Sequence, residues 1–511
     1  MTTIRPAARG LALAALATGG GSVLAADIAP KLLSEAQGGR VEALIVLPDQ
    51  VRPALAPLAI DADYKLRRRA LVEALRTRAD AQQADLRAWL DARGIEYRPY
   101  WIANLVWARV SAADLAALAG RSDVARVTTN PAVALREPPV PAELAAVTAP
   151  DAIEWGVGKI RAPDVWAAGF TGQGVVIGGQ DTGYQWDHPA LKAQYRGWNG
   201  SAASHDYNWH DAIHAGDDDV AGNPCGGDAP APCDDHGHGT HTAGTFAGDD
   251  GGVNRVGVAP GAQWIGCRNM AGGDGTPARY IECMQWFLEP TDHAGNNPNT
   301  DLAPDVISNS WGCIPSEGCT VGDEIAEAVN NLVDAGILFV AAAGNDGPGC
   351  GTILDPPAIY DASFVVGSTT SSDSMSSFSS RGPVAGSALI RPDVVAPGSS
   401  VRSSVPGNGY GIMSGTSMAT PHVAGAAALL MSVKPALKGH PEQVAALLRD
   451  TAVHQVTGGS TSCGGLTLAN WPNYHAGHGR IDVYAAALAA GLGNPDNDRV
   501  FTDGFDGTPT P

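Results

Sequence analysis

At 511 residues the chain is longer than one ordinary domain, and at 44% hydrophobic and 17% charged its composition is that of a folded protein. Its formal net charge of -20 argues against nucleic acid as a partner. The charge is uneven: residues 1–26 carry +2, residues 27–150 carry +1 and residues 151–511 carry -23, an acidic balance that favours solubility.

Arg5 and Arg9 precede an apolar run, Leu11 to Ala17, and small residues ending Val23-Leu24-Ala25-Ala26. This is the order of a secretory signal over residues 1–26, so a secreted protein is expected, extracellular or passing through the periplasm. The run is too short to anchor the mature form, and no later segment is long and apolar enough, so no membrane is expected as a partner.

Residues 27–150 lack cysteine and are rich in Ala, Leu and Arg. Val41 to Leu47 reads as a strand. Residues 64–93 read as an amphipathic helix with Leu66, Leu71, Leu75, Leu86 and Leu90 on its apolar side. Asn104 to Val110 alternates as a strand, Ser111-Ala112-Ala113-Asp114 opens a second helix, and Val124 to Thr129 is a last strand. The alternation implies a small α+β sandwich, and Pro-rich residues 138–150 read as a linker.

Residues 151–490 alternate short β-branched strands with helices. Strands are expected at Val175–Gly178, Trp264–Cys267, Val306–Asn309, Leu338–Ala341 and Phe364–Gly367. Their unbroken apolar character predicts an α/β fold with a parallel sheet covered on both faces. Ligands of such sheets sit at the carboxyl ends of the strands. The polar tail, residues 491–511, suggests no role.

The eight cysteines, 225, 233, 267, 283, 313, 319, 350 and 463, suggest disulfides in an exported chain. Short loops single out Cys225–Cys233 and Cys313–Cys319. Zinc is disfavoured, because no CxxC pair is present.

Three motifs carry chemistry. Val175 to Gly183 delivers Asp181 at the end of a strand, where a carboxylate can hold an imidazole by its ring N–H; an Asp-Gly turn has the same look. Asp235 to Gly244 is a Gly-rich loop entering a helix, with His236, His238 and His241 close enough in sequence to chelate a metal, although no HExxH is present. Ser414 to Gly425 places Ser417 at the start of an apolar helix, where free N–H groups favour negative charge; an N-cap serine also fits. Together they give the order Asp, His, Ser, each bracketed by glycine.

Asp-Thr-Gly at 181–183, His-Gly-Thr-His-x-Ala-Gly at 238–244 and Gly-Thr-Ser-Met-Ala-x-Pro-His at 415–422 resemble the three signatures of subtilisin-like serine proteases, the subtilases. The likeness runs from about Trp155 to Ala487. His188-Pro189-Ala190-Leu191-Lys192, Tyr195 to Gly200 and Ala303 to Gly312 resemble the bacillopeptidase F branch. Tyr184 departs from the usual Val or Ile, and the loops 193–235 and 455–478 are long.

The resemblance implies a subtilisin-like parallel sheet with helices on both faces, preceded by a small ferredoxin-like α+β propeptide over residues 27–150. It implies a secreted serine endopeptidase made as a self-processing zymogen, with Asp181, His238 and Ser417 as triad. Asn345, in Ala341-Ala342-Ala343-Gly344-Asn345-Asp346, and the Ser417 backbone N–H would form the oxyanion hole. Substrate is expected to pair with Ser310-Trp311-Gly312, which with Ala342, Ala343 and Gly344 would line a pocket for large apolar side chains. The partners are protein and peptide substrates and the chain's own propeptide as inhibitor, cut off between about 136 and 154. No cofactor serves the chemistry, though a structural calcium ion at Asp217-Asp218-Asp219 is a candidate. Rival readings are a metal hydrolase and an inactive binding protein with the same fold.

Overall fold

A computed structural model describes residues 26–48, 63–138, 152–313, 323–459 and 462–493. The expected signal up to Ala25, the linker from residue 139 and the tail from residue 494 lie outside these residues.

The N-terminal unit runs β1 (Asp27–Ile28), α1 (Pro30–Glu35), β2 (Val41–Val46), α2 (Tyr64–Asp91), β3 (Tyr97–Tyr100), β4 (Leu105–Val110), α3 (Ala112–Ala119) and β5 (Arg126–Thr129). Its sheet has the order β1-β5-β2-β4-β3. The two strands not anticipated are the edges. β1 has only two residues, and β3 carries Pro99, which an edge tolerates because one side of it needs no donor. A capping box between Ser111 and Asp114 starts α3 as its sequence suggests.

Helix α2 serves two cores. Leu86 and Leu90 pack inside the N-terminal unit, whereas Leu71, Val72 and Leu75 join a cluster with Tyr280, Ile281 and Leu332 of the larger domain. Leu66, expected on the apolar side, remains 50% exposed. Arginines supplement this apolar seam. Arg76 bonds Glu289 at 2.6 Å, Arg98 bonds Asp217 at 2.9 Å and Arg126 bonds Glu324 at 2.8 Å. Buried Arg68 donates to the carbonyls of Ala335 and Thr300. The acidic excess of the larger domain is thus used partly against this unit. After β5 the chain forms a two-residue strand, β6 (Val133–Ala134), which lies on the larger domain.

The larger domain continues with β7 (Ala152–Ile153), α4 (Trp155–Lys159), α5 (Ala162–Ala167), β8 (Val176–Asp181), β9 (Trp209–Asp211), α6 (His238–Ala247), β10 (Asn254–Arg255), β11 (Gln263–Arg268), β12 (Met270–Ala271), β13 (Asp274–Gly275) and α7 (Pro277–Leu288). Then follow β14 (Val306–Asn309), α8 (Asp323–Asp334), β15 (Leu338–Ala342), β16 (Phe364–Thr369), β17 (Val394–Pro397), β18 (Val401–Val405), β19 (Gly409–Met413), α9 (Thr416–Val433), α10 (Pro441–Asp450) and α11 (Val483–Ala490).

A seven-stranded sheet of order β17-β16-β15-β14-β8-β11-β9 forms the centre, with every pairing parallel. Alternate residues feed opposite faces. Ile177, Val306 and Val340 pack into the cluster holding α9 and α11, while Val176, Ile307 and Phe339 meet the cluster of α7 and α8. Burial on both faces is what the unbroken apolar strands foretold. Because β8, first in the chain, sits between β14 and β11, the strand order reverses beside it, where such sheets hold their ligands.

The Cys225–Cys233 bridge is present, together with Cys267–Cys283 and Cys350–Cys463. Cys313 is also disulfide-bonded; Cys319, its expected partner, lies outside the described residues.

Candidate active site

Asp181 is the last residue of β8, at the reversal point, and is 2% exposed. The glycines of the first two motifs exist for close approach. A Cβ on Gly183, whose φ is +106°, would stand 1.8 Å from the Cys233 carbonyl oxygen, and one on Gly239 would stand 2.0 Å from the Gly183 oxygen. Their absence lets the motifs interlock: Gly239 N–H donates to Thr182 Oγ1 at 2.9 Å, and Thr182 Oγ1 donates to Asp234 Oδ1 at 2.9 Å. Asp234 also accepts from the N–H groups of Gly237 and Thr240.

The interlock brings His238 Nδ1–H to Asp181 Oδ1 at 2.7 Å, both side chains buried. Asp181 also accepts from its neighbour Thr182 N–H at 2.7 Å and from Thr242 Oγ1 at 3.3 Å. His238 Nε2 is left buried and without a hydrogen-bond partner among the described residues. Burial pushes this imidazole down, but the charge and hydrogen bond of Asp181, aided by Glu137 and Asp234, outweigh it, so its pKa is raised above 6.5.

The other histidines of the motif diverge from it. His241 bonds the Val401 carbonyl at 3.0 Å, and burial first, then the neighbouring His238, push it down to about 3. His236 is exposed. Among the described residues no group of three His, Cys, Asp or Glu side chains is arranged to hold a metal. In the acidic run, Arg98 and Arg279 engage Asp217 and Arg279 engages Asp219.

Ser417 is the second residue of α9, a helix buried along its whole length. Pro421 has no N–H to give the carbonyl four residues before it, that of Ser417. The Ser310 hydroxyl donates to that carbonyl instead, at 2.9 Å. Ser417 Oγ in turn donates to the Ser310 carbonyl at 3.2 Å, so the hydroxyl is not bonded to His238 in this conformation.

Asn345 lies just past the carboxyl end of β15. Its Oδ1 accepts from Thr416 N–H at 2.9 Å and Thr416 Oγ1 at 3.1 Å, which turns its Nδ2 outward. That amide donates to the carbonyl of Arg136 at 2.9 Å. The segment leading to Arg136 is held extended: Val133 and Ala134 pair antiparallel with Gly275 and Asp274, and Leu135 N–H donates to the Gly273 carbonyl at 2.8 Å. The next residue, Glu137, lies close enough to His238 to act on its charge. The carbonyl of one peptide bond, Arg136–Glu137, is thus held by the oriented amide.

The pairing edge is Gly273–Gly275, a segment the sequence did not single out. Ser310, Trp311, Gly312, Ala342 and Gly344 line the adjoining cavity, with Trp311 stacked on Tyr280. Ala343 does not line it. Its side chain points the other way, into an apolar cluster with Ile353, Ala358 and Val365. Asp346 and Asp355, both unanticipated, line the cavity too.

The Peptidase_S8 model, described as the Subtilase family, matches residues 172–479. Over 470 residues the chain is 34% identical to bacillopeptidase F of Bacillus subtilis, an alignment covering 88% of this chain and 31% of that protein. It is 33% identical over 349 residues to the alkaline protease of Alkalihalobacillus alcalophilus, covering 68% of this chain and 75% of the relative. It is 34% identical over 319 residues to subtilisin Savinase of Lederbergia lenta, covering 62% and 97%. The chain therefore spans under a third of the first of these relatives and nearly all of the last.

Proposed function

The chain is a serine peptidase of the subtilase family, and from that premise we propose that it is a secreted endopeptidase which cuts its own N-terminal unit, residues 27–136, away at Arg136–Glu137. The observation that carries this reading is the Arg136 carbonyl on the Asn345 amide. In this reading Ser417 Oγ attacks the carbonyl, and His238 Nε2 takes its proton and returns it to the leaving amine. Asp181 holds the imidazole by Nδ1–H and stabilises its cation. Asn345 and the Ser417 backbone N–H receive the oxyanion.

The N-terminal unit acts as propeptide and inhibitor. The seam through Leu71, Val72 and Leu75 and the arginine pairs hold it on the domain, and its end fills the substrate edge. The signal over residues 1–26 directs export. The chemistry needs no cofactor, and a structural calcium ion would find the Asp217 and Asp219 carboxylates already engaged by arginines.

Two measurements test the roles. Asn345→Ala removes the only side-chain donor given to the oxyanion in this reading, so kcat should fall about 10²–10³-fold with KM nearly unchanged. A drop under tenfold would deny it that role. The raised His238 pKa sets the acid limb. A protonated imidazole cannot accept the Ser417 proton, so kcat/KM should decline as pH falls through a value above 6.5. A midpoint below 6.5 in the pH profile would contradict the dominance of Asp181 over burial.

A further inference from the structure

The cavity beside Ser417 is shaped by what two glycines leave out and by what two aspartates put in. Asp355 is 7% exposed and lies against the wall formed by Gly312 and Gly344. A Cβ on Gly312 would come within 3.0 Å of Asp355 Oδ2, and one on Gly344 within 3.3 Å. Bare backbone at both positions therefore opens the way to the carboxylate. Asp346, 37% exposed, stands nearer the mouth. The cavity of about 70 Å³ between these walls is also lined by Arg136, the only cationic residue on it among the described residues, with its side chain half exposed. Arg136 Nη1 lies 3.8 Å from Asp346 Oδ1. Its own carbonyl is the one held by Asn345.

We infer that this peptidase cleaves after basic residues, arginine before lysine, with Asp355 as the specificity-determining group at the cavity's base and Asp346 assisting at its mouth. The inference rests on the proposed endopeptidase activity and names its substrate class. A guanidinium entering the cavity can meet the Asp355 carboxylate with charge-assisted hydrogen bonds, whereas an apolar side chain brings no donor to it. Arginine gains over lysine because its planar fork can meet a carboxylate with two N–H groups. The small residues of the wall, which by themselves suggest a large apolar guest, thus provide length for a long cationic one. The residue already placed before the bond at the site, Arg136, is of this class.

The test uses the processed enzyme and two blocked tetrapeptide p-nitroanilides that differ only in arginine or phenylalanine before the cleaved bond. The wild type should show kcat/KM at least about 10²-fold higher for arginine. Asp355→Ser should lower the arginine value about 10²-fold and raise that for phenylalanine, inverting the preference; the gain on phenylalanine shows that the variant is folded. A wild type that labels with phenylmethylsulfonyl fluoride yet prefers phenylalanine overturns the inference while the activity stands. The wild-type comparison alone decides this if the variant does not fold. A wild type that neither labels nor hydrolyses any peptide overturns the activity itself.

Discussion

Ser417→Ala is expected to leave the chain as an uncut precursor and to lower peptide hydrolysis by about 10⁶, the loss found when subtilisin loses its nucleophile. The structure supplies the reason for so large an effect. The segment leading to the Arg136–Glu137 bond is already paired along Gly273–Gly275, and the Arg136 carbonyl is already on Asn345. The carbonyl is therefore held without the hydroxyl, and what the substitution removes is the attacking atom. The alanine variant should fold, because the carbonyl of residue 417 still accepts from Ser310 and the helix behind it is unchanged. The check is N-terminal sequencing of purified chain. Wild type should begin at Glu137, and the variant should retain the N-terminal unit. Cutting of the purified variant at the same bond would remove Ser417 from the mechanism.

Asp181→Asn should reduce kcat by about 10⁴ while leaving KM close to that of wild type. The change is nearly isosteric, and the neighbouring Thr182 and Gly239 contacts hold the turn in place. What changes is the partner of His238 Nδ1. A carboxylate accepts its N–H at 2.7 Å and fixes the tautomer with Nε2 free to take a proton. An amide that turns its NH2 group to Nδ1 fixes the opposite tautomer, and Nε2–H cannot act as a base. The raised pKa of His238 should be lost with the charge, moving the acid limb of the residual activity to lower pH. A loss under about tenfold would mean that other contacts orient the ring.

How much was legible follows from how local each feature is. The turn at Asp181, the loop at His238 and the helix start at Ser417 each need glycine or small residues within a few positions, so each leaves a mark in a short stretch. The same holds for the central strands, whose double burial imposes unbroken apolar runs. The edges of sheets leave weaker marks: β3, with its proline, and β6, two residues long beside the supposed linker, exist only because a partner edge is there. Helix α2 shows a further limit. Its leucine pattern reveals a buried side but not that Leu71 and Leu86 are buried in different cores.

The sequence alone determined the order of Asp181, His238 and Ser417, the glycine-rich turns that present them and the parallel sheet that carries them, since these depend on backbone turns and on periodic burial. Only the tertiary structure decided which carbonyl lies on Asn345, that Ala343 faces away from the cavity, and that Asp346 and Asp355 face into it. The reason is geometric. A pocket is assembled from the ends of β14 and β15 and a later turn, and the electrostatic character of its floor belongs to no single stretch of chain.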